Sequence, residues 1–294
     1  MSAKKKDQLA TTLLYAVAGI IITVLAGLLG FVFVKGMPQL SWQFITSPPQ
    51  IFKEGGGVGP QLFNSFYLLV LTLMISIPIA IGAGIYLAEY AKNHWMIRCL
   101  RVLIEVLSSL PSIVVGLFGF LFFVLYMGWG FSIISGALAL SVFNLPLLVR
   151  VVEQSISNVP KAQREAGWAL GYSKWETITT IILPAALPGI VTGIILASGR
   201  VFGEAAALIY TAGMSTPVID FTNWNPLSAT SPLNPFRPAE TMAVHIWKVN
   251  SEGIMPNAAA ISDGAAALLI ISILFFNFTS RIIGNAVFKK MSAN

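Results

Sequence analysis

One stretch of the sequence, from Val106 to Val149, contains no charged side chain at all. A helix crosses the hydrocarbon core of a bilayer with about 20 apolar residues, so this stretch is long enough for two crossings. Only 10% of all residues are charged, whereas a soluble domain carries about 25%. The chain is therefore predicted to be an all-α integral membrane protein.

Six transmembrane helices are expected from the apolar runs. The long uncharged stretch should turn at "MGWG", residues 127–130, because two glycines favour a turn there. This predicts the third span from about Val106 to the turn and the fourth from the turn to Val149. The remaining spans are predicted at Leu9–Val34, Gln61–Ala88, Ala185–Ile209 and Ala258–Ser280, with loops at about 35–60, 150–176 and 211–257.

The basic residues are divided unequally between the two sides that six spans define. Of the 18 Lys and Arg residues, thirteen fall on the side of the two termini and four on the opposite side, while Arg200 lies within a span. Cytoplasmic loops carry the excess of positive charge. We therefore expect a multi-pass protein of the inner (cytoplasmic) membrane, in contact with lipid and with both termini in the cytoplasm. The positive charge serves orientation, so no nucleic acid is expected as a partner.

The loop at 150–176 contains a short predicted helix at about 160–170. Pro160 suits the first turn of a helix and Gly171 suits its end. A helix this short is marginal alone in water and needs a surface to lie against. That surface is either the protein's own bundle or a partner protein, and periodicity alone does not separate the two.

This loop resembles the "EAA…G…I-LP" loop of ABC-importer permeases. The matching residues are Glu165, Ala166, Gly167, Gly171, Ile181, Ile182, Leu183 and Pro184. The resemblance implies the type I permease (MetI-like) fold, and it implies that Glu165, Ala166, Gly167, Gly171, Leu183 and Pro184 couple the membrane part to an ATPase. Gly167 stands where the motif usually has Ala.

Longer segments are similar to the phosphate-uptake permeases. They cover 107–120, 144–171 and 187–208, and the segment 234–253 is more similar to the PstA type than to the PstC type. This resemblance implies a second, related permease subunit, two cytoplasmic ATPase subunits and an extracytoplasmic phosphate-binding protein. The chain has no Gly-x-x-x-x-Gly-Lys-Ser/Thr motif. It is therefore expected to be non-catalytic and to hold no cofactor, with ATP and Mg bound by the ATPase.

The chain is expected to divide into three parts. Residues 1–60 form a cytoplasmic tail, the first span and an outer loop. Residues 61–284 form the permease core, and residues 285–294 form a second cytoplasmic tail. His94 and His245 are far apart and show no ligand spacing, so no metal site is expected.

Arg200 and Glu204 are two charges inside an apolar span. On one helix, residues four apart share a face, so the two side chains are expected to pair. The pair either fixes helix packing only, or Arg200 offers a forked cationic donor to an anion in transit while Glu204 holds the guanidinium. The phosphate-uptake permeases carry Arg-x-x-Gly-Glu at this place, which favours the second interpretation. In that family the Glu is often followed by Thr-Ala-Pro, whereas Ala205, Ala206 and Ala207 follow here.

Two other functions stay open. The same machine could carry another oxyanion, such as molybdate or sulfate, because each of these would also need an Arg in its path. An ATP-independent channel or secondary transporter is the other class, and it would need no docking helix. Glu89 and Glu105 lie near span ends and are expected to be solvated.

Overall fold

The computed structural model describes residues 3–50, 56–91, 94–252 and 257–292, and all regular structure within these ranges is helical. Lys92 and parts of the predicted loops 35–60 and 211–257 lie outside the described residues. The α-helices are α1 (Ala3–Gly36), α2 (Trp42–Thr46), α3 (Gly59–Ile85), α4 (Trp95–Ser108), α5 (Ser112–Gly119), α6 (Ile133–Ser157), α7 (Lys161–Ala169), α8 (Lys174–Thr177), α9 (Leu183–Gly203), α10 (Ala206–Thr211), α11 (Met242–Glu252) and α12 (Ala258–Ser292).

Three π-helical turns extend these helices. Tyr86–Tyr90 continues α3, Phe120–Tyr126 continues α5, and Ile178–Ile182 joins α8 to α9. Five of the resulting segments are long and apolar enough to cross a membrane, namely Ala3–Gln39, Gly59–Tyr90, Ile133–Ser157, Lys174–Gly203 and Ala258–Lys290. The pair Trp95–Ser108 and Ser112–Tyr126, bent by 97°, counts as a sixth if it is taken as one span. The predicted all-α membrane fold is therefore confirmed.

The third predicted span, beginning at Val106, is wrong in its course. Helix α4 ends at Ser108 and α5 starts at Ser112, with Pro111 at the N-cap. Proline has no N–H to donate and disfavours helical backbone at the residue before it. The chain therefore bends sharply at this proline instead of running straight. The predicted turn at 127–130 is confirmed, since Gly128 and Gly130 have φ of 70° and 65°.

The fifth predicted span, Ala185–Ile209, also has different ends. Its helical segment begins earlier, at Lys174, and stops at Gly203. Glu204 has an extended ψ of 120°, and a separate short helix, α10, follows. The predicted loop 211–257 likewise contains a helix, α11, that its Pro-, Asn- and Ser-rich composition did not suggest.

The long helices connect two ends of the bundle, which we call the α7 end and the α11 end. Helix α6 starts beside residues 235–237, near α11, and finishes beside Arg164 of α7. The last residue of α1, Gly36, lies against Asp263 near the start of α12. The start of α1 and the end of α12 therefore lie toward the α7 end.

Helix α6 packs closely between α3 and α9 because glycines let the backbones approach. A Cβ added at Gly84 of α3 would lie 2.4 Å from Val152 Cγ1, and one at Gly193 of α9 would lie 2.4 Å from Val151 Cγ1. Small residues at helix interfaces allow this approach within membranes, where packing rather than the hydrophobic effect holds helices together. The three helices form the centre of the molecule.

Candidate functional site

Arg200 lies in the last turn of α9 and is partly exposed. Its guanidinium carbon stands 3.6 Å from the ring centroid of Phe143, a buried residue in the middle of α6. A cation over an aromatic face is attracted by the negative face of the ring, so Phe143 supports the charge without using up its hydrogen-bond donors. The side chain is thus positioned between α9 and α6.

The predicted pairing of Arg200 with Glu204 is wrong for this conformation. The helix ends at Gly203, so the four-residue spacing no longer places the two side chains on one helical face. Glu204 Oε1 instead accepts a hydrogen bond of 3.1 Å from the backbone N–H of Ala207, in the first turn of α10. A carboxylate stabilises such a helix start by satisfying a free N–H.

The break in the helix leaves the Arg200 charge available. Among the described residues, no carboxylate oxygen lies within 4.0 Å of its guanidinium nitrogens. A guanidinium presents five N–H donors in a planar fork that matches an oxyanion. The arrangement is chemically suited to receive an anion on the exposed side of Arg200.

Helix α7 confirms the helix predicted at about 160–170. It spans Lys161–Ala169, follows Pro160 at its N-cap, and stops before Gly171, whose φ of 81° suits glycine. Glu165 and Ala166 are exposed, and so are the large apolar side chains of Trp168 and Leu170. Most of the helix surface therefore lies open at the α7 end of the bundle.

Gly167 is the one fully buried residue of α7, and it faces the π-helical turn that precedes α9. A Cβ at this position would lie 2.8 Å from Thr177 Cγ2 and 2.9 Å from Ile181 Cδ1. The close contact explains why glycine replaces the usual alanine. Leu183 starts α9 on the other side of this turn, and Pro184 is buried in its first turn.

Arg164 fastens α7 to two other helices. Its Nε donates to Glu89 Oε1 at 3.0 Å, and its NH2 group lies 2.9 Å from the same oxygen. NH2 also donates to Ile156 O at the end of α6, at 2.8 Å, and NH1 donates to Val159 O. The expectation that Glu89 is solvated is wrong, because its side chain is only 9% exposed. The side chain of Glu105 is 66% exposed, as expected, although its Oε2 lies 3.4 Å from Arg150 NH2.

A second polar cluster lies at the α11 end and surrounds the buried carboxylate of Glu240. Gln61 Nε2 donates to Glu240 Oε2 at 2.9 Å, while His245 Nδ1 and Lys248 Nζ lie 3.3 and 3.7 Å from Oε1. Asn64, one turn after Gln61 on α3, donates to Glu240 O at 3.0 Å. Residues 235–240, which we call the cap segment, are thereby attached to the first turns of α3.

The cap segment also covers the start of α6 and the end of α10. Ile134 N donates to Pro235 O at 2.8 Å and Ile133 N donates to Arg237 O at 3.0 Å, so the cap segment satisfies free N–H groups of α6. Ala239 N donates to Ala212 O, just after α10, at 3.0 Å. The cap segment thus joins three helices at this end.

Burial and neighbouring groups shift the pKa values of two charged residues at this end, Arg237 and Glu240. Burial lowers the pKa of Arg237 to about 10, which leaves it charged at neutral pH. Burial by itself would raise the pKa of Glu240, but the neighbouring His245, together with Gln61 and Lys248, holds it below its ordinary value. The carboxylate is therefore ionised although it is buried.

Neither the contacts between Arg164 and Glu89 nor the polar cluster around Glu240 was predicted from the sequence. The available signal was local: Gln61, Asn64 and Ser65 have helical spacing at the start of an apolar span, where polar residues need partners. Their partners, however, lie more than 170 residues away in the chain. Local pattern does not show which distant residues meet them.

Comparison with known proteins now shows the class of protein. The family described as "Binding-protein-dependent transport system inner membrane component" matches residues 80–293, and the chain belongs to this family. It is a permease subunit of the ABC-importer class, which argues against the alternative of an ATP-independent channel or secondary transporter.

Individual relatives agree with this class. The chain is 54% identical over 294 residues, 100% of both chains, to "Probable ABC transporter permease protein YqgI" of Bacillus subtilis. It is 33% identical over 264 residues to "Phosphate transport system permease protein PstA 2" of Mycobacterium bovis, covering 90% of this chain and 83% of the relative. A structure of the MetNI methionine ABC transporter in an inward-facing conformation matches with a TM-score of 0.56 and 18% identity, over 79% of this chain and 94% of that one. At that identity the structural match supports the fold alone.

Proposed function

We propose that this chain is the PstA-type permease subunit of an ATP-driven importer of inorganic phosphate. One observation carries the proposal: Arg200 is a partly exposed guanidinium in a membrane-spanning helix, and among the described residues no carboxylate oxygen lies within 4.0 Å of its nitrogens. An unpaired charge in a membrane is costly, so such a residue marks a functional site. The relative named as a phosphate permease supports phosphate as the anion.

Glu204 has a second part in this proposal. Glu204 lies four residues after Arg200 in the chain. In this conformation its carboxylate accepts a hydrogen bond from Ala207 N and so caps α10. When the anion leaves, the carboxylate is free to turn toward the guanidinium and neutralise it. Such exchange would weaken the hold of Arg200 on phosphate enough to release it.

The position of α7 supports alternating access. An ATPase dimer that binds the exposed face around Glu165, Ala166 and Trp168 would move α7, and the spans would follow. ATP and Mg on that partner supply the energy. This chain supplies two conformations that differ in their affinity for phosphate, which is what drives directional transport.

The proposal fixes the orientation as well. The α7 end, with both termini, lies in the cytoplasm, because the excess of Lys and Arg is on that side. The α11 end then faces outward, where a phosphate-binding protein would deliver the anion. A related second permease subunit would complete the pathway on the exposed side of Arg200.

The cargo is tested by uptake of radiolabelled phosphate into vesicles that contain the complete complex. We expect ATP-dependent uptake that unlabelled phosphate abolishes, and that a hundredfold excess of sulfate or molybdate reduces by less than about twofold. The control is a complex with an inactivated ATPase. Strong competition by sulfate or molybdate would assign the chain to that oxyanion instead, which is the second candidate because the Arg200 fork suits any tetrahedral oxyanion.

Docking on the ATPase is tested by Glu165→Lys. Glu165 is exposed on α7, so a reversed charge should disturb a partner surface without disturbing the fold. We expect the amount of ATPase that co-purifies with the permease to fall at least about tenfold, since like charges across an interface cost several kcal/mol. The control is Gln163→Lys, which also introduces a lysine but on the opposite face of α7. Equal co-purification in both variants and in the wild type would contradict the docking role.

A further inference from the structure

We propose that Arg150 and Arg101 form a second, weaker anion-binding site at the α7 end of the bundle, which holds inorganic phosphate after it leaves Arg200. This inference rests on the proposed function and names the residues that the anion would meet last before it enters the cytoplasm. Arg150 lies two turns before the end of α6, and Arg101 lies in the middle of α4. The two side chains come from different helices and line one cavity.

The cavity between α4 and α6 is large enough for the anion and polar enough to hold it. Its volume is about 380 Å³, whereas a water molecule takes about 30 Å³ in the liquid. A phosphate, with five heavy atoms, therefore fits together with several waters. Besides the two arginines, the polar side chains that line the cavity are those of Glu153, Gln154, Ser157 and Asn158. The guanidinium groups and the two amides supply the N–H donors that an oxyanion requires.

Arg150 is the more weakly held of the two arginines. Its NH2 lies 3.4 Å from Glu105 Oε2, with the two side chains 43% and 66% exposed, and this is its one ion pair in the described part of the chain. Arg101 NH2 lies closer to its own partner, 2.8 Å from Glu153 Oε1. Ion pairs as exposed as that of Arg150 contribute little to stability, so their partners exchange readily. Phosphate can thus replace Glu105 on Arg150, and the carboxylate can replace phosphate again, which suits a site that must release its anion.

Helix α6 places Arg150 on the same face as Phe143, whose ring supports the Arg200 guanidinium. The two residues are seven positions apart, which is two helical turns or about 10 Å along the axis. Gln154 follows on this face after one more turn. Phe143 is buried, Arg150 is partly exposed and Gln154 is exposed. The face that supports Arg200 therefore continues into the cavity.

The side of α9 that carries Arg200 is open over the same distance. Leu196, one turn before Arg200, is 59% exposed, and Ala185, near the start of α9, is exposed as well. Asn158, an amide of the arginine cavity, also lines a second cavity of about 300 Å³ together with Ala185 and Gly189 of α9. The arginine cavity thus lies next to the open side of α9.

No other charged side chain separates Arg200 from this cavity along the long helices. The uncharged segments of the sequence are 61–88, 106–149 and 183–199. An anion that leaves Arg200 toward the α7 end therefore meets its next cations on α4 and α6 at Arg101 and Arg150. A second cation at this distance lowers the cost of moving a charge through an apolar stretch.

The experiment measures phosphate binding without transport. Gln154→Cys, at the cavity, is made in a Cys99→Ser background and placed in the complete complex without nucleotide. The rate at which a neutral maleimide labels this cysteine is measured in nanodiscs of phosphatidylcholine, which leave both sides of the protein accessible. Sodium phosphate is compared with sodium chloride at equal ionic strength, so that screening of charges is the same in both.

We expect about 20 mM phosphate to slow the labelling at least about threefold, as a site of millimolar affinity would. Arg150→Gln should abolish this protection, and Arg150→Lys should retain part of it because the charge remains without the planar fork. Glu105→Gln should lower the phosphate concentration for half-protection by about twofold or more, because the competing carboxylate is gone. The matched control is Arg281→Gln, which removes an exposed arginine of α12 and should leave the protection unchanged.

Uptake of radiolabelled phosphate into vesicles gives a second measurement. In Arg150→Gln, the maximal rate of ATP-dependent uptake should fall at least about fivefold while the apparent KM for external phosphate stays within about twofold. The reason is that Arg150 receives the anion only after it has been taken up from outside. An unchanged amount of co-purifying ATPase shows that the variant complex is assembled.

The other outcomes separate failure of this site from failure of the proposed function. Equal protection in Arg150→Gln and the wild type would overturn the site, and an unchanged half-protection concentration in Glu105→Gln would reduce the ion pair to a structural link between α4 and α6. Labelling that ignores phosphate but slows when about a third of the lipid is phosphatidylglycerol would assign the cavity to a lipid headgroup. Phosphate uptake without protection would contradict the site alone. Protection in a complex that imports no phosphate would support the site and contradict the proposed function.

Discussion

Arg200→Ala is expected to reduce phosphate uptake by at least about a hundredfold while the ATPase continues to turn over. A hydrogen bond to a charged group contributes about 1.5–3 kcal/mol, and 1.4 kcal/mol corresponds to a factor of ten. A guanidinium that holds a phosphate through two such bonds therefore accounts for a hundredfold or more. The measurement is uptake of radiolabelled phosphate into vesicles, with ATP hydrolysis followed in the same preparation.

A conservative variant separates the charge of Arg200 from its geometry, and a substitution of another arginine serves as the control. Arg200→Lys keeps the charge but not the planar fork, so we expect it to recover only part of the uptake. Arg281→Ala removes an exposed arginine near the end of α12 and should leave uptake unchanged. Normal uptake by Arg200→Ala would exclude Arg200 from the pathway. A parallel loss of uptake and ATP turnover would indicate a structural role only.

Much of the fold could be predicted because membrane spans follow from local composition. The long uncharged stretch indicated two crossings, and the glycines at 128 and 130 marked the turn between them correctly. The bend before α5 was missed because apolar composition hides a helix break in a run of uniformly apolar residues. Pro111 was the residue that could have revealed it.

The candidate site was predicted unevenly. The bounds of α7 followed from Pro160 and Gly171, whose backbone preferences are local. The pairing of Arg200 with Glu204 failed because it assumed one uninterrupted helix, whereas Glu204 gains a hydrogen bond from Ala207 N once the helix stops at Gly203. The hydrogen bond between Arg164 and Glu89 joins residues 75 positions apart, so it could not be predicted from local sequence.

Glu240→Leu is expected to lower the free energy of unfolding by about 3 kcal/mol, because removing one partner of a buried ion pair leaves the other charges unpaired. Lys248 would lose its carboxylate, and Gln61 would lose its acceptor. Denaturation of the purified permease in detergent, followed by helical circular dichroism, measures the loss. Glu252→Leu, at the exposed end of α11, is the matched control and should change stability by less than about 0.5 kcal/mol. An equal effect of the two substitutions would show that the contacts of Glu240 with Gln61, His245 and Lys248 do not stabilise the fold.

The lowered pKa of Glu240 predicts how the difference in free energy of unfolding between the wild type and Glu240→Gln depends on pH. The partners of Glu240, namely His245, Gln61 and Lys248, hold its folded pKa below the ordinary value of 4.5. A carboxyl group with a lowered folded pKa contributes stability that is fully present above its unfolded pKa and is lost as the pH falls through the folded value. The difference should therefore narrow as the pH falls from about 4.5 toward the folded value. A difference that stays constant throughout acid pH would mean that Glu240 is not ionised in the folded protein, and that the cap segment is held without its charge.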